Sequence, residues 1–180
     1  MTDQVFIERG KGFLSKLVPI SERTGVHFAL ENLQLFWNRV EVLEPVLKSL
    51  PTEQVGLSHD VTNMYWYGHP LDEIYEMTEA IAPFVRYHCH AKNNKFPADK
   101  KNALRTPPGW GYREYATSIR EGDIDFRRIL DIYAKAGFRG VITIEDDSLR
   151  KHDAEGQKKV LIDDVKFLRE IIAELNERYE

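Results

Sequence analysis

Glu31, Asp60, His90 and Glu145 are the residues of this sequence best suited to chemistry, lying 29, 30 and 55 residues apart. Three carboxylates and one imidazole brought together would repel one another unless a cation joined them. An oxygen-rich set with one nitrogen favours Mn²⁺, Mg²⁺, Co²⁺ or Zn²⁺ over the metals that prefer thiolates. Taken singly, each residue has a plainer reading. A carboxylate ending a strand is often a cap on the next helix, and a strand histidine is often a hydrogen-bonded core residue. The metal reading depends on all four sharing one face and one end of a sheet.

A rival cluster is "RYHCHAKNN" (86–94), where His88 and His90 flank Cys89, the single cysteine. Strand geometry decides between the two, because successive side chains point to opposite faces. Four segments read as strands, 27–32, 54–60, 85–93 and 140–146. Phe28 and Leu30, Val55 and Leu57, Val85, Tyr87 and Cys89, and Ile142 and Ile144 form an apolar face. The opposite face is small or polar and carries Glu31, Asp60, His88, His90, Lys92 and Glu145. Cys89 therefore points away from both histidines, toward a helix layer, and reads as a buried inert thiol.

Helical patterns fall between the strands at 36–50, 70–82, 125–136 and 157–178, and a leading helix over 3–24 stops at Gly25. Strand–helix alternation predicts an α/β domain, a parallel sheet covered by helices, over residues 1–180. In a barrel of parallel strands the C-terminal ends converge on one mouth, which would gather the four residues. Residues 94–122, containing "RTPPGWGY", form a long insertion.

The 180 residues are 42% hydrophobic and 30% charged, with a net charge of −4 and no basic block. That argues against a nucleic-acid partner. The polar start and the lack of a long apolar run predict neither a signal peptide nor a membrane span. A lone cysteine fits a reducing cytoplasm.

With these residues in place, the sequence resembles the xylose-isomerase-like TIM-barrel family of sugar isomerases and epimerases. That family includes ketose 3-epimerases of the tagatose type, hydroxypyruvate isomerase and inosose dehydratase, with endonuclease IV as a distant relative. "GVHFALEN" is similar to its Glu-bearing strand five and "VGLSHD" to its Asp-bearing strand six. "HCHAKN" is similar to strand seven, with Asn93 in the place of an aspartate, and "EGDIDFRRILDIYAKAGFRGVITIED" to the run into the last Glu-bearing strand.

The resemblance implies that Glu31, Asp60, His90 and Glu145 ligate one divalent ion, Mn²⁺ first and Mg²⁺, Co²⁺ or Zn²⁺ as alternatives. It implies that Glu31 and Glu145 are also the catalytic acid/base pair, moving a proton next to the carbonyl of a sugar or keto-sugar through an enediolate. It favours His90 over His88 as the ligand and leaves His88 a supporting place beside the substrate. Asn63 stands where the family often has a histidine, and is expected to bind a sugar hydroxyl rather than metal. That departure, with the negative charge, disfavours phosphodiester hydrolysis of the endonuclease IV kind. The family's substrate arginine has no clear match, so Lys92, Lys95, Arg105 and Arg113 are its candidates. Trp37 and Trp66 suit a wall for the sugar, and equally suit loop packing or a subunit contact.

The resemblance covers strands five to eight, whereas a full barrel runs to about 250 residues. The expected architecture is therefore a half-barrel of four parallel βα units preceded by one helix. Its open edges invite a second copy or a complementary half-barrel chain. A non-catalytic remnant that binds metal or carbohydrate is the alternative function.

Overall fold

The computed structural model describes residues 2–179. Its helices and strands alternate as α1 (Asp3–Leu14), α2 (Val18–Thr24), β1 (Phe28–Glu31), α3 (Gln34–Trp37), α4 (Val40–Leu47), β2 (Val55–Asp60), α5 (Val61–Tyr67), α6 (Leu71–Ile81) and β3 (Val85–Ala91). They continue as β4 (Asn93–Asn94), α7 (Ala98–Lys101), α8 (Tyr112–Tyr115), β5 (Ala116–Thr117), α9 (Phe126–Lys135), β6 (Val141–Ile144) and α10 (Ala154–Tyr179). The principal sheet has the order β1-β2-β3-β6, with every pairing parallel, and it does not close into a barrel. This is the four-unit partial TIM barrel expected. No helix among the described residues is long and apolar enough to cross a membrane.

The apolar face of the sheet lies under the helices. Leu57, Val85 and Cys89 are buried in the main core with Ile74, Ile81, Phe126 and Ile129, and Phe28, Leu30 and Val55 meet α1 and α4 in a second cluster. Cys89 is a free buried thiol whose pKa burial pushes up to about 12. On the other side the inner face is open, and Val141 is 64% exposed.

The strand alternation fails at one place. Leu57 pairs with Val85 but Ser58 pairs with His88, so Arg86 and Tyr87 form an irregularity in β3. Tyr87 is therefore not part of the apolar face. Its ring stacks on His27 at 4.5 Å and its hydroxyl donates to the Glu53 carbonyl at 2.6 Å. Extra residues in one strand of a pair distort it locally and re-aim the side chains around them.

The single helix expected over 3–24 is two helices joined by a 3₁₀ turn at Ser15–Leu17, with a proline near the start of the second. Proline lacks the N–H that a continuous helix needs at that point. Gly25 then ends α2 in the left-handed conformation at φ 70°, as the sequence suggested.

The insertion is structured. Its two short strands, β4 and β5, pair antiparallel. The buried Asn93 amide donates to the carbonyls of Ile119 (2.8 Å) and Ile124 (3.0 Å), tying the far end of the insertion back to the sheet. Arg105 fixes its middle. The guanidinium lies against the rings of both Tyr65 and Phe96, at 4.4 and 4.2 Å. It donates to the carbonyls of Lys100 (2.7 Å), His69 (3.2 Å) and Tyr65. Arg105 is thus a buried clamp on backbone carbonyls and not a substrate contact. Arg105→Ala should strand those carbonyls and lower the unfolding free energy by about 3 kcal/mol in urea titration. Arg105→Lys should recover little, because an ammonium cannot reproduce the planar fork.

Candidate metal centre

The four residues picked out by spacing converge. One ligand atom from each of Glu31, Asp60, His90 and Glu145 lies within 4.8 Å of the others. Glu31 ends β1, Asp60 ends β2, His90 lies near the end of β3, and Glu145 follows β6. Parallel pairing in register brings these ends level, with Asp60 directly beside His90. The His90 Nδ1 atom stands 3.4 Å from a carboxylate oxygen of Glu31, 3.4 Å from one of Glu145 and 3.9 Å from Asp60 Oδ2.

Each side chain is held by its own surroundings. Asp60 is fully buried and caps α5, its Oδ1 accepting the backbone N–H of Thr62 (2.9 Å) and Asn63 (3.2 Å). That leaves Oδ2 turned to the centre, where Lys92 Nζ lies 2.8 Å away. Asn32, also fully buried, clasps the Asp60 backbone. Its amide donates to the Asp60 carbonyl (2.8 Å) and its oxygen accepts the Asp60 N–H (2.7 Å). The sequence signal for Asn32 was only its place after Glu31, and it went unused. Burial pushes the Asp60 carboxyl upward, against the pull of Lys92. Burial alone would lower Lys92, but the Asp60 carboxylate more than reverses it and holds the ammonium above its ordinary value.

The donor set fits a divalent ion on two grounds. His90 Nδ1 is buried with no hydrogen-bond partner, and Asp60 Oδ2 has an ion pair but no directed hydrogen bond. Three carboxylates against the one ammonium of Lys92 leave two negative charges to be balanced.

The residues expected around a substrate separate into two groups. His88 sits one pair deeper on the inner face, its Nδ1 2.6 Å from Ser58 Oγ and its Nε2 2.7 Å from Thr143 Oγ1. Both nitrogens are thus engaged across three strands, and the ring stands edge-on to His90 at 4.7 Å. Trp66 is half-buried, its ring 5.4 Å from that of Tyr112 in the insertion. The other three are each engaged by neighbouring side chains. Asn63 is fully buried, its amide donating to Glu31 and accepting from Trp66. Lys92 is only 3% exposed and committed to Asp60 and Glu145. Trp37 packs against Phe6 at 4.7 Å and against Gly10, in the layer between α1 and α4, which uses its ring for the core.

A family model described as xylose isomerase-like TIM barrel matches residues 7–171. An uncharacterized protein from Methanocaldococcus jannaschii, MJ1311, is 26% identical over 165 residues, covering 89% of this chain and 50% of its own length. A D-tagatose 3-epimerase-like protein superposes with a TM-score of 0.62 at 22% identity, over 97% of this chain and 57% of that one. A xylose isomerase domain protein from Planctomyces limnophilus gives 0.64 at 20% identity, over 93% and 52%. A xylose isomerase-like TIM barrel protein from Mycobacterium smegmatis, in complex with magnesium, gives 0.59 at 17%, over 88% and 49%. The chain spans about half the length of the proteins it matches.

Proposed function

Because the chain belongs to the xylose isomerase-like TIM-barrel family, we propose that it is a divalent-metal-dependent sugar isomerase or epimerase. The observation that carries this is the convergence of Glu31, Asp60, His90 and Glu145. These four would hold the ion, with Mn²⁺ the first choice. Bound there, a divalent cation supplies positive charge beside the substrate oxygen on which negative charge develops.

The remaining chemistry belongs to the two glutamates. A hydrogen on the carbon next to a ketose carbonyl is weakly acidic, and a carboxylate within reach removes it to leave an enediolate. The strand order β1-β2-β3-β6 sets Glu31 and Glu145 at the ends of the two outermost strands, with Asp60 and His90 between them. That supports one glutamate removing the proton from one side and the other returning it from the opposite side, as inversion of a carbon centre requires. They are also the more open members, Glu31 at 35% and Glu145 at 46% exposure against 0% for Asp60.

The test is solvent exchange. Mn²⁺-loaded protein in D₂O should incorporate deuterium next to the carbonyl of at least one member of a ketose panel. Glu31→Gln and Glu145→Gln should each slow that exchange by about a thousandfold. Bound Mn²⁺ without exchange in any ketose would sink the catalytic reading. It would leave a metal- or carbohydrate-binding role, which the open inner face around Val141 favours.

We also propose that a complementary four-stranded unit, a second copy or another chain, covers this face. Strands β1 and β6 each have a neighbour on one side only among the described residues. Beside β6 an apolar groove of about 330 Å³ runs between α9 and α10, lined by Leu130, Phe138, Ile142, Ile172 and Leu175. Native mass spectrometry should find a dimer, and a stable monomer would count against self-association.

A further inference from the structure

The insertion's "GWGY" motif and the aromatic run on α5 are left without a task by the proton-transfer scheme, yet they connect to Glu31. Trp66 donates its indole N–H to Asn63 Oδ1 at 2.6 Å, and Asn63 Nδ2 donates to Glu31 Oε1 at 3.3 Å. An indole N–H can only donate, so it fixes which end of the Asn63 amide is oxygen. The amino end is thereby turned to Glu31, where it meets the same carboxylate oxygen that stands 3.4 Å from His90 Nδ1. Asn63 is fully buried, so no water competes for these bonds.

Trp66 is itself held by the insertion. Gly109 donates its N–H to the Trp66 carbonyl at 3.0 Å and passes beneath the ring. At φ 78° a Cβ on Gly109 would lie 2.8 Å from Trp66 Cζ3, so only glycine lets the two segments approach this closely.

We infer that Trp66 and Asn63 are positioning residues which, buttressed by Gly109, aim the Glu31 carboxylate for metal ligation. This rests on the metal reading of the four-residue centre, and it replaces the direct substrate contact expected for Asn63 and Trp66. If the amide were free to turn over, its oxygen would face the Glu31 carboxylate and push it away. The insertion thereby acts on a ligand from another segment of the chain without touching it. Hydrogen-bonded supports of this kind orient metal ligands, and their loss costs metal affinity without removing a ligand.

Mn²⁺ titrated calorimetrically into chelator-stripped protein tests the inference. Trp66→Phe keeps an aromatic ring near Gly109 and Tyr112 but deletes the indole N–H together with part of the ring. It should weaken Mn²⁺ binding about tenfold while the protein still unfolds cooperatively, at a somewhat lower thermal midpoint. Gly109→Ala, which must displace the ring, should weaken it in the same direction. Asn63→Ala should weaken binding too, and the Trp66→Phe/Asn63→Ala double variant should be no weaker than Asn63→Ala alone, because both break one chain of bonds. Wild-type affinity in Trp66→Phe, or losses that add in full, would overturn the relay while leaving the metal site standing. No Mn²⁺ binding by the wild type would overturn the metal reading and the relay together. A second readout needs no metal: the Trp66 indole proton should exchange slowly in the wild type and quickly in Asn63→Ala, and equal rates would also refute the relay.

Discussion

Asp60→Ala is expected to lower the unfolding free energy by about 4 kcal/mol, measured by urea titration of metal-free protein. Two losses combine. The first is the cap on α5, since Asp60 Oδ1 accepts the first free N–H groups of that helix, those of Thr62 and Asn63. A lost cap costs about 1 kcal/mol. The larger loss is at Lys92, whose side chain is 4% exposed and pairs with Asp60 at 2.8 Å and Glu145 at 3.3 Å. Removing the closer, fully buried partner leaves an ammonium in a poorly solvated place with only the half-exposed Glu145 for company. Breaking a buried pair costs roughly 3–5 kcal/mol because of the charge left behind, far more than the intact pair contributes.

That account makes a second measurement decisive. In Asp60→Ala/Lys92→Met the stranded charge is gone, so the double variant should be more stable than Asp60→Ala by about 2 kcal/mol. If the double variant is instead less stable, Lys92 is held by something other than Asp60, and the ion pair is not what the position requires. Using metal-free protein matters, since a ligand bound only by the folded state adds its own stabilisation and would mix two effects.

The four-residue cluster was largely legible in the sequence because it depends on two strong regularities. Alternation along a strand placed Glu31, Asp60, His90 and Glu145 on one face, and parallel strands of similar length made their ends level. What alternation could not reveal was depth. Lys92 and Asn63 were expected to meet a substrate, but how far a side chain is buried depends on neighbours from other segments. Here those neighbours are Thr62, whose hydroxyl donates to the Lys92 carbonyl, and Trp66. Nor did Arg86 and Tyr87 advertise the irregularity in β3, since either residue is at home in an ordinary strand.

Helix α5 escaped notice for a different reason. Val61, Thr62, Asn63, Met64 and Tyr65 are all buried, so this short helix has no exposed stripe and no 3.6-residue alternation of apolar and polar positions. Its punctuation was nonetheless present. Asp60 stands at the cap and Gly68 at the far end, with φ 137°. Reading those two residues as start and stop signals would have found the helix, and with it the reason Asp60 presents only one oxygen to the centre.

The last expectation concerns a buried carboxyl outside the centre. Asp164 on α10 is fully buried, its Oδ1 accepting the Ile119 N–H at 2.9 Å while its Oδ2 has no hydrogen-bond partner. Burial, and then the Asp146 carboxylate facing it from the turn after Glu145, push its pKa up to about 7 from 3.8. The unfolded chain releases this proton near pH 4, whereas the folded protein keeps it until about pH 7. Between those values the folded state binds more protons, so raising the pH favours unfolding, and the stability present at low pH is lost through this window. The loss from this one group is on the order of 4 kcal/mol and levels off above pH 7. Asp164→Asn keeps an oxygen for the Ile119 N–H, offers Asp146 an N–H instead of a second carboxyl, and never ionises. Urea titrations from pH 5 to 8 should therefore show the variant gaining on the wild type steadily up to pH 7, with the difference constant beyond it. A difference that does not change with pH would mean Asp164 is already ionised in the fold throughout this range. The groups around Asp164 would then have to stabilise its negative charge beside Asp146, for which the structure offers the backbone N–H groups of Ile119 and Arg120.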